Sequence, residues 1–237
     1  MNNPRGGPAL KRKLLYIFST TFFRWLSRLS VFGLENIPKQ GPAILAVNHT
    51  GILDAPLIFS LIPRTDPTAL VAKKHLKNPF LRIIVNIVGG IWINRDEADT
   101  AAIRAAREHL KKGGLLGIAP EGTRSSSGDL DYGKNGVVYL AEKAGVPIIP
   151  VAISGTFKGM KKMLSLKRPE IVVRVAEPIQ LRPVSRNDRE IILQQYTDEI
   201  MCQIAAMLPP FQRGVYAEYA RTTELLEKYS SVGASSS

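Results

Sequence analysis

Four residues separate His49 from Asp54 in the run Asn48-His49-Thr50-Gly51-Ile52-Leu53-Asp54, and together these two side-chain types can activate an alcohol. A carboxylate bound to one imidazole nitrogen fixes the ring's tautomer and stabilises its cation, leaving the second nitrogen to accept a proton. Positions five apart diverge on a continuous helix. The pair can therefore meet only if His49 precedes a helix, Gly51 lets the chain bend, and Asp54 points back from the first turn. The same residues also admit a structural reading, with His49 a hydrogen-bonded structural histidine and Asp54 a helix cap.

The apolar run at residues 43–47 enters this segment like a buried strand, and Pro56 favours a helix beginning close by. Two further polar clusters repeat the arrangement. Glu121-Gly122-Thr123-Arg124-Ser125 follows an apolar run at 115–119, and Asn94-Arg95 follows Ile91-Trp92-Ile93. Ligands of open α/β sheets bind beyond the carboxyl ends of the strands. The three clusters are therefore expected to converge on one crevice.

Strands are also predicted at 31–37, 68–72, 91–93, 148–153 and 170–175, and helices at 52–61, 79–88, 97–112, 135–144 and 187–208. This alternation predicts an α/β fold with a largely parallel, mixed sheet flanked by helices. At 237 residues the chain fits one sizeable domain. The expected organisation is an N-terminal amphipathic helix over 1–30, a catalytic domain over 31–210, and a C-terminal helix (216–229) with a disordered serine-rich end within 211–237.

A formal net charge of +12 calls for anionic partners, whether nucleic acid, anionic lipid, or phosphorylated and coenzyme-A-like molecules. No nucleic-acid motif is present, and no aromatic row among the basic residues suits base stacking. Lys11-Arg12-Lys13 precedes apolar residues recurring at three- and four-residue spacing from Leu14 to Leu29. The segment is too short and too charged to span a bilayer, and it lacks a convincing cleavage site for a secretory signal. Its composition suits a helix lying in the interface of an anionic membrane, the alternative being a helix packed on its own domain. The single cysteine, Cys202, reads as a packed residue in a reducing, cytosolic setting. The three histidines are widely spaced, and His109 is expected to face solvent, so neither a metal centre nor a bound cofactor is predicted.

Four ordered blocks resemble the glycerolipid acyltransferase family, most closely the 1-acylglycerol-3-phosphate acyltransferases, over about residues 32–180. They are Asn48 to Asp54 (the His-x4-Asp motif), Gly90-Ile91-Trp92-Ile93-Asn94-Arg95, Pro120-Glu121-Gly122-Thr123-Arg124-Ser125, and Val146-Pro147-Ile148-Ile149-Pro150-Val151. The resemblance implies transfer of an acyl group from a thioester, acyl-coenzyme A or acyl carrier protein, to the 2-hydroxyl of lysophosphatidate at the cytoplasmic face of a membrane. It makes His49 the base and Asp54 its partner. Lys73, Arg95 and Arg124 become phosphate contacts, and Glu121, Gly122 and Thr123 substrate contacts, with Glu121 binding the glycerol or positioning Arg124. The fourth block carries no catalytic role, although its prolines are expected to shape the pocket wall. Other acceptors, glycerol 3-phosphate or another lysophospholipid, stay open, as does a non-enzymatic basic protein that binds membrane or nucleic acid.

Overall fold

The computed structural model describes residues 7–62, 64–94, 99–182 and 188–234, and in it the apolar runs become seven strands. These are β1 (Arg28–Phe32), β2 (Ala43–Val47), β3 (Thr68–Ala72), β4 (Ile91–Ile93), β5 (Leu115–Ile118), β6 (Ile148–Ser154) and β7 (Glu170–Val175). Around them lie α1 (Gly7–Leu26), α2 (Asp54–Leu61), α3 (Pro79–Val88), α4 (Thr100–Lys111), α5 (Gly136–Ala144), α6 (Gly159–Leu164), α7 (Arg189–Met207) and α8 (Ala220–Ala234). The strands form one sheet in the order β1-β7-β6-β2-β5-β3-β4. Strands β2 to β6 run one way, while β7 pairs antiparallel with β6 and carries β1 parallel to itself. The fold is thus α/β, with a mostly parallel sheet flanked by helices.

The central strands are buried on both faces, which is why they read as unbroken apolar runs. On one side Ala43 and Leu45 of β2 share a core with Phe23 of α1 and Leu57 of α2. On the other, Ile44 and Ala46 pack with Leu110 of α4, Val138 of α5 and Ile204 of α7. All seven residues of β6 are buried, so the fourth sequence block supplies the centre of the sheet instead of a pocket wall.

Local signals set several boundaries. Asn78 caps α3 by accepting from the Leu81 amide, Pro79 opens the helix, and Gly89 closes it at φ 67°. Helix α4 starts at Thr100, because Asp99 caps it by accepting from Ala102, whereas the sequence reading began it at residue 97. Residues 95–98 lie outside those described.

Strand β1 departs from the strand expected at 31–37. It occupies Arg28–Phe32 in register with β7, from Arg28 opposite Glu170 to Phe32 opposite Arg174. Gly33 then turns at φ 74°, where any Cβ would meet the Val175 carbonyl oxygen at 2.1 Å, and a 3₁₀ turn follows at Leu34–Asn36. Leu29, grouped in the sequence reading with the amphipathic helix, is a strand residue. Helix α6 had no counterpart in the sequence reading. At the other end α8 runs through Ser230 and Ser231 to Ala234, and Tyr216 sits before it in a separate 3₁₀ turn.

Helix α1 combines both readings of its sequence. Phe23 is 1% exposed in the core, and Arg12 donates to the carbonyl oxygens of Pro67 and Val88. Its outer face leaves Leu14, Ile17, Phe18 and Trp25 exposed. Among the described residues no helix is long and apolar enough to cross a membrane.

Candidate active site

Because β2 to β6 point the same way, the segments following them gather at one edge of the sheet. His49 comes two residues after β2 and Asp54 opens α2. His49 Nδ1 lies 2.9 Å from Asp54 Oδ2, and the same oxygen accepts from the backbone amides of Thr50 at 2.8 Å and Gly51 at 2.7 Å. An oxygen already receiving two N–H groups is an acceptor, so this network assigns the proton to Nδ1 and leaves Nε2 with its lone pair. Asp54 is almost fully buried, whereas the His49 side chain is 31% exposed. The carboxylate is held by the fold, and the ring it holds meets solvent.

Gly51 contributes differently from the expectation. It has no positive φ; instead a Cβ there would stand 2.7 Å from the Thr156 carbonyl oxygen. The loop after β6 therefore packs directly on the histidine turn, and Thr50 and Thr156 hydroxyls meet at 3.2 Å. Asn48 locks the same junction. Its side chain accepts from the Ile153 amide at 2.7 Å and donates to the Ile153 carbonyl at 3.0 Å, extending the pairing of β2 with β6 beyond the strand. Losing that amide would leave a buried N–H unpaired, a cost of about 1–3 kcal/mol. A polar residue at the end of an apolar run was the available signal for Asn48; nothing in the sequence marked Thr156.

The loop after β5 closes over His49 from the other side. The Ser125 amide donates to the His49 carbonyl oxygen at 2.8 Å, which fixes Arg124 one residue away. Gly122 turns the loop at φ 72° while its amide bonds the Ala119 carbonyl. Thr123, Arg124, Ser125 and Asp131 line a cleft of about 520 Å³, whose far wall includes Val215. That wall is anchored by Gln212, which donates to the Gly128 carbonyl at 2.9 Å, and by the Tyr216 hydroxyl, which accepts from the Gly133 amide at 3.0 Å.

Glu121 lines the same cleft and also braces two loops. It is 3% exposed, and its two oxygens accept from the backbone amides of His49 at 3.0 Å and Asp131 at 3.2 Å. Burial pushes its carboxyl up to about 7 from an ordinary 4.5, against the lowering effect of the two amides. The folded state therefore binds the proton more tightly than the unfolded chain. The associated stability is full below about pH 4.5 and is lost as pH rises through 7, about 3 kcal/mol in all. Glu121→Gln should remove this slope, so its melting temperature should fall less than wild type's between pH 5 and pH 8. It should also lower kcat on the order of 10-fold, because a side-chain amide can accept only one of the two backbone N–H groups and His49 shifts. Parallel melts and initial rates at both pH values test this; identical pH slopes for the two proteins would assign the titration elsewhere.

A second cluster follows β3 and β4. Lys73 Nζ pairs with Asp99 Oδ2 at 2.9 Å, and the same oxygen accepts from the Asn94 amide. These bonds hold the Asp99 carboxyl well below the usual range, the Asn94 amide contributing most. Asp99 thus ties the second sequence block to Lys73, about two strand spacings, or roughly 10 Å, from β2. Arg95 lies outside the described residues. His109 is partly buried, not solvent-facing: its Nε2 is 3.1 Å from the Leu115 carbonyl oxygen, and the ring covers Gly114. Among the described residues no group of three or more histidine, cysteine or acidic residues could hold a metal ion.

A histidine–aspartate pair with a free ring nitrogen, set beside an arginine-bearing loop, suits proton removal from one bound substrate as it attacks another. The model of the Acyltransferase family matches residues 28–154, from the first residue of β1 to the last of β6, and this chain belongs to that family. It is an acyltransferase. The 1-acyl-sn-glycerol-3-phosphate acyltransferase of Borreliella burgdorferi is 31% identical over 183 residues, which make up 75% of this chain and 72% of that protein. The beta form of the same enzyme from Homo sapiens is 32% identical over 176 residues, covering 69% of this chain and 60% of that one. The crystal structure of PlsC, the LPA acyltransferase of Thermotoga maritima, matches with a TM-score of 0.65 at 27% identity, over 84% of this chain and 80% of the other.

Proposed function

We propose that this enzyme transfers an acyl group from an acyl thioester, carried by coenzyme A or acyl carrier protein, to the 2-hydroxyl of 1-acylglycerol 3-phosphate. The product is phosphatidic acid. The observation that carries the reading is the 2.9 Å contact between His49 Nδ1 and an Asp54 oxygen already fixed by two backbone amides. Nε2 of His49 takes the hydroxyl proton as the alkoxide oxygen bonds to the thioester carbonyl carbon. The tetrahedral species then collapses, the carbon–sulfur bond breaks, and the imidazolium returns its proton to the departing thiolate. No covalent enzyme intermediate is needed, since the two substrates react directly once aligned.

Arg124, exposed in the cleft and one residue from the Ser125 amide that bonds the His49 carbonyl, is the candidate to grip the acceptor's phosphate through paired N–H groups. Lys73, which Asp99 holds at the end of β3, and Arg95 would be the further phosphate contacts, and Gly122 and Thr123 would shape the approach. The names of the relatives support the choice of acceptor. The same proposal seats the enzyme peripherally on the cytoplasmic, anionic face of a membrane, with the exposed apolar face of α1 and its flanking Lys11, Lys13 and Arg24 toward the lipid.

Purified enzyme assayed with one thioester against lysophosphatidate, glycerol 3-phosphate and lysophosphatidylcholine should prefer lysophosphatidate. Arg124→Ala should raise KM for lysophosphatidate about 10- to 100-fold, the worth of a charge-assisted hydrogen bond. Preference for an acceptor lacking a phosphomonoester, together with an unchanged KM in the variant, would overturn the assignment.

A further inference from the structure

We propose that α6 with its following turn and the last turns of α1 form a single foot that seats the catalytic edge of the sheet on an anionic bilayer. The inference rests on the lipid-acceptor reading above. Leu164 and Leu166 are 80% and 83% exposed, and Leu166 is held at φ 54°, a conformation a leucine rarely adopts. They protrude between Lys161 and Lys162 on one side and Lys167 and Arg168 on the other. On α1, Trp25 and Phe18 are 75% and 67% exposed beside Arg24.

The fold joins the two elements. Arg168 donates to the carbonyl oxygens of Arg24 at 3.2 Å and Ser27 at 2.9 Å, while Met163 of α6 and Phe23 of α1 share one buried core. Between them lies a depression of about 340 Å³ that includes Arg24, Arg28 and Arg168 in its lining.

Strand directions put this foot at the edge that carries His49. Helix α6 follows the end of β6, and the loop before it packs on Thr50 and Gly51 through Thr156. Because β7 runs opposite to β6, with Ser154 opposite Val172, the start of β7 and its partner Arg28 lie at that same edge. The last turn of α1 therefore ends there, whereas its Arg12 reaches Pro67 and Val88, just ahead of β3 and β4.

Charge identifies the occupant. Residues 18–34 and 155–169 together hold seven of the 32 cationic residues and none of the 20 acidic ones, with Glu170 standing 3.6 Å from Arg28 at their border. Seven positive charges, more than half of the net +12, thus sit on two stretches that the structure makes adjacent. Protruding leucine, phenylalanine and tryptophan ringed by lysine and arginine match a bilayer interface, which takes apolar side chains below its headgroups and cations at them.

The test is sedimentation of the full chain with vesicles of phosphatidylcholine alone or mixed with phosphatidylglycerol, alongside acyl transfer to a short-chain lysophosphatidate in solution. The double variant Leu164→Ser with Leu166→Ser should lose about 10-fold or more in partition to the mixed vesicles and keep its solution rate. Lys161→Glu with Lys162→Glu, whose fold can be checked by thermal melting, should lose affinity for mixed vesicles only. Wild-type partition in both variants overturns the foot. So would unchanged partition combined with a rate loss confined to the acyl-carrier-protein donor, which would mark the surface as a protein-docking site. Wild-type enzyme that binds vesicles and transfers no acyl group to any lysophospholipid would instead overturn the lipid-acceptor reading.

Discussion

Replacing His49 by alanine should lower kcat by about 10³- to 10⁴-fold while leaving the fold and its melting temperature nearly unchanged. General-base catalysis contributes about 10²- to 10⁴-fold in well-positioned systems, and the upper part of that range applies because an alcohol is a poor nucleophile near neutral pH. The structural cost is small. The ring is 31% exposed, and Asp54 keeps the amides of Thr50 and Gly51 when the imidazole is gone. The turn itself is held by backbone groups, with the His49 amide on Glu121 and its carbonyl on the Ser125 amide. A side-chain truncation there forfeits about 1 kcal/mol, the net worth of one hydrogen bond. Single-turnover rates with lysophosphatidate, measured beside thermal melts, separate the two effects. Turnover comparable to wild type would remove the base, and a collapsed melt would make the histidine structural.

How much of this centre was legible depends on whether a residue acts through its neighbours in sequence or through distant ones. His49 and Asp54 were readable because their meeting requires only a strand exit, a turn and a helix start, all local events with local signals. The boundaries of β2, β3, β4, α3 and β7 were readable for the same reason, being apolar runs punctuated by glycine, proline and an asparagine cap. Sheet order is different in kind. That β6 lies against β2, and β1 against β7, follows from packing between segments 100 or more residues apart. Consequently Asn48 could be seen as part of a motif, but its grip on Ile153 could not.

The misreadings share a cause. For Glu121 the sequence suggested a group that binds glycerol or positions Arg124, and it held no sign of the bracing role. Its two oxygens are consumed by backbone amides from different loops, a fact of tertiary structure alone. Asp99 likewise gathers Lys73, Asn94 and the start of α4, and of these Lys73, 26 residues away, is the partner no local signal could supply. Helix α6 escaped because its few residues carry no complete helical period of apolar positions, and because its start depends on Lys158 at φ 54°. Strand β1 was displaced because serine and arginine in Arg28–Phe32 mask an edge strand whose pairing with β7 defines it.

Asp54→Asn discriminates most sharply between the chemical and structural readings of the pair. Asparagine keeps the shape, and its carbonyl oxygen can still accept from the Thr50 and Gly51 amides, so the turn and the start of α2 should form as before. With that oxygen pinned by two donors, the Nδ1 proton still has its acceptor, and the tautomer that presents a bare Nε2 survives. On the proposed mechanism, what disappears is the negative charge that would stabilise the imidazolium formed as the acceptor hydroxyl loses its proton. The expected result is a fall in kcat of about 10²- to 10³-fold with little change in the KM for lysophosphatidate, since no acceptor contact is assigned to Asp54. Asp54→Ala should behave differently, because it strands two buried amides at about 1–3 kcal/mol each and so lowers stability as well as rate. If the asparagine variant turns over like wild type while the alanine variant melts early, Asp54 only builds the turn. The proton must then leave the acceptor hydroxyl without a carboxylate-held histidine.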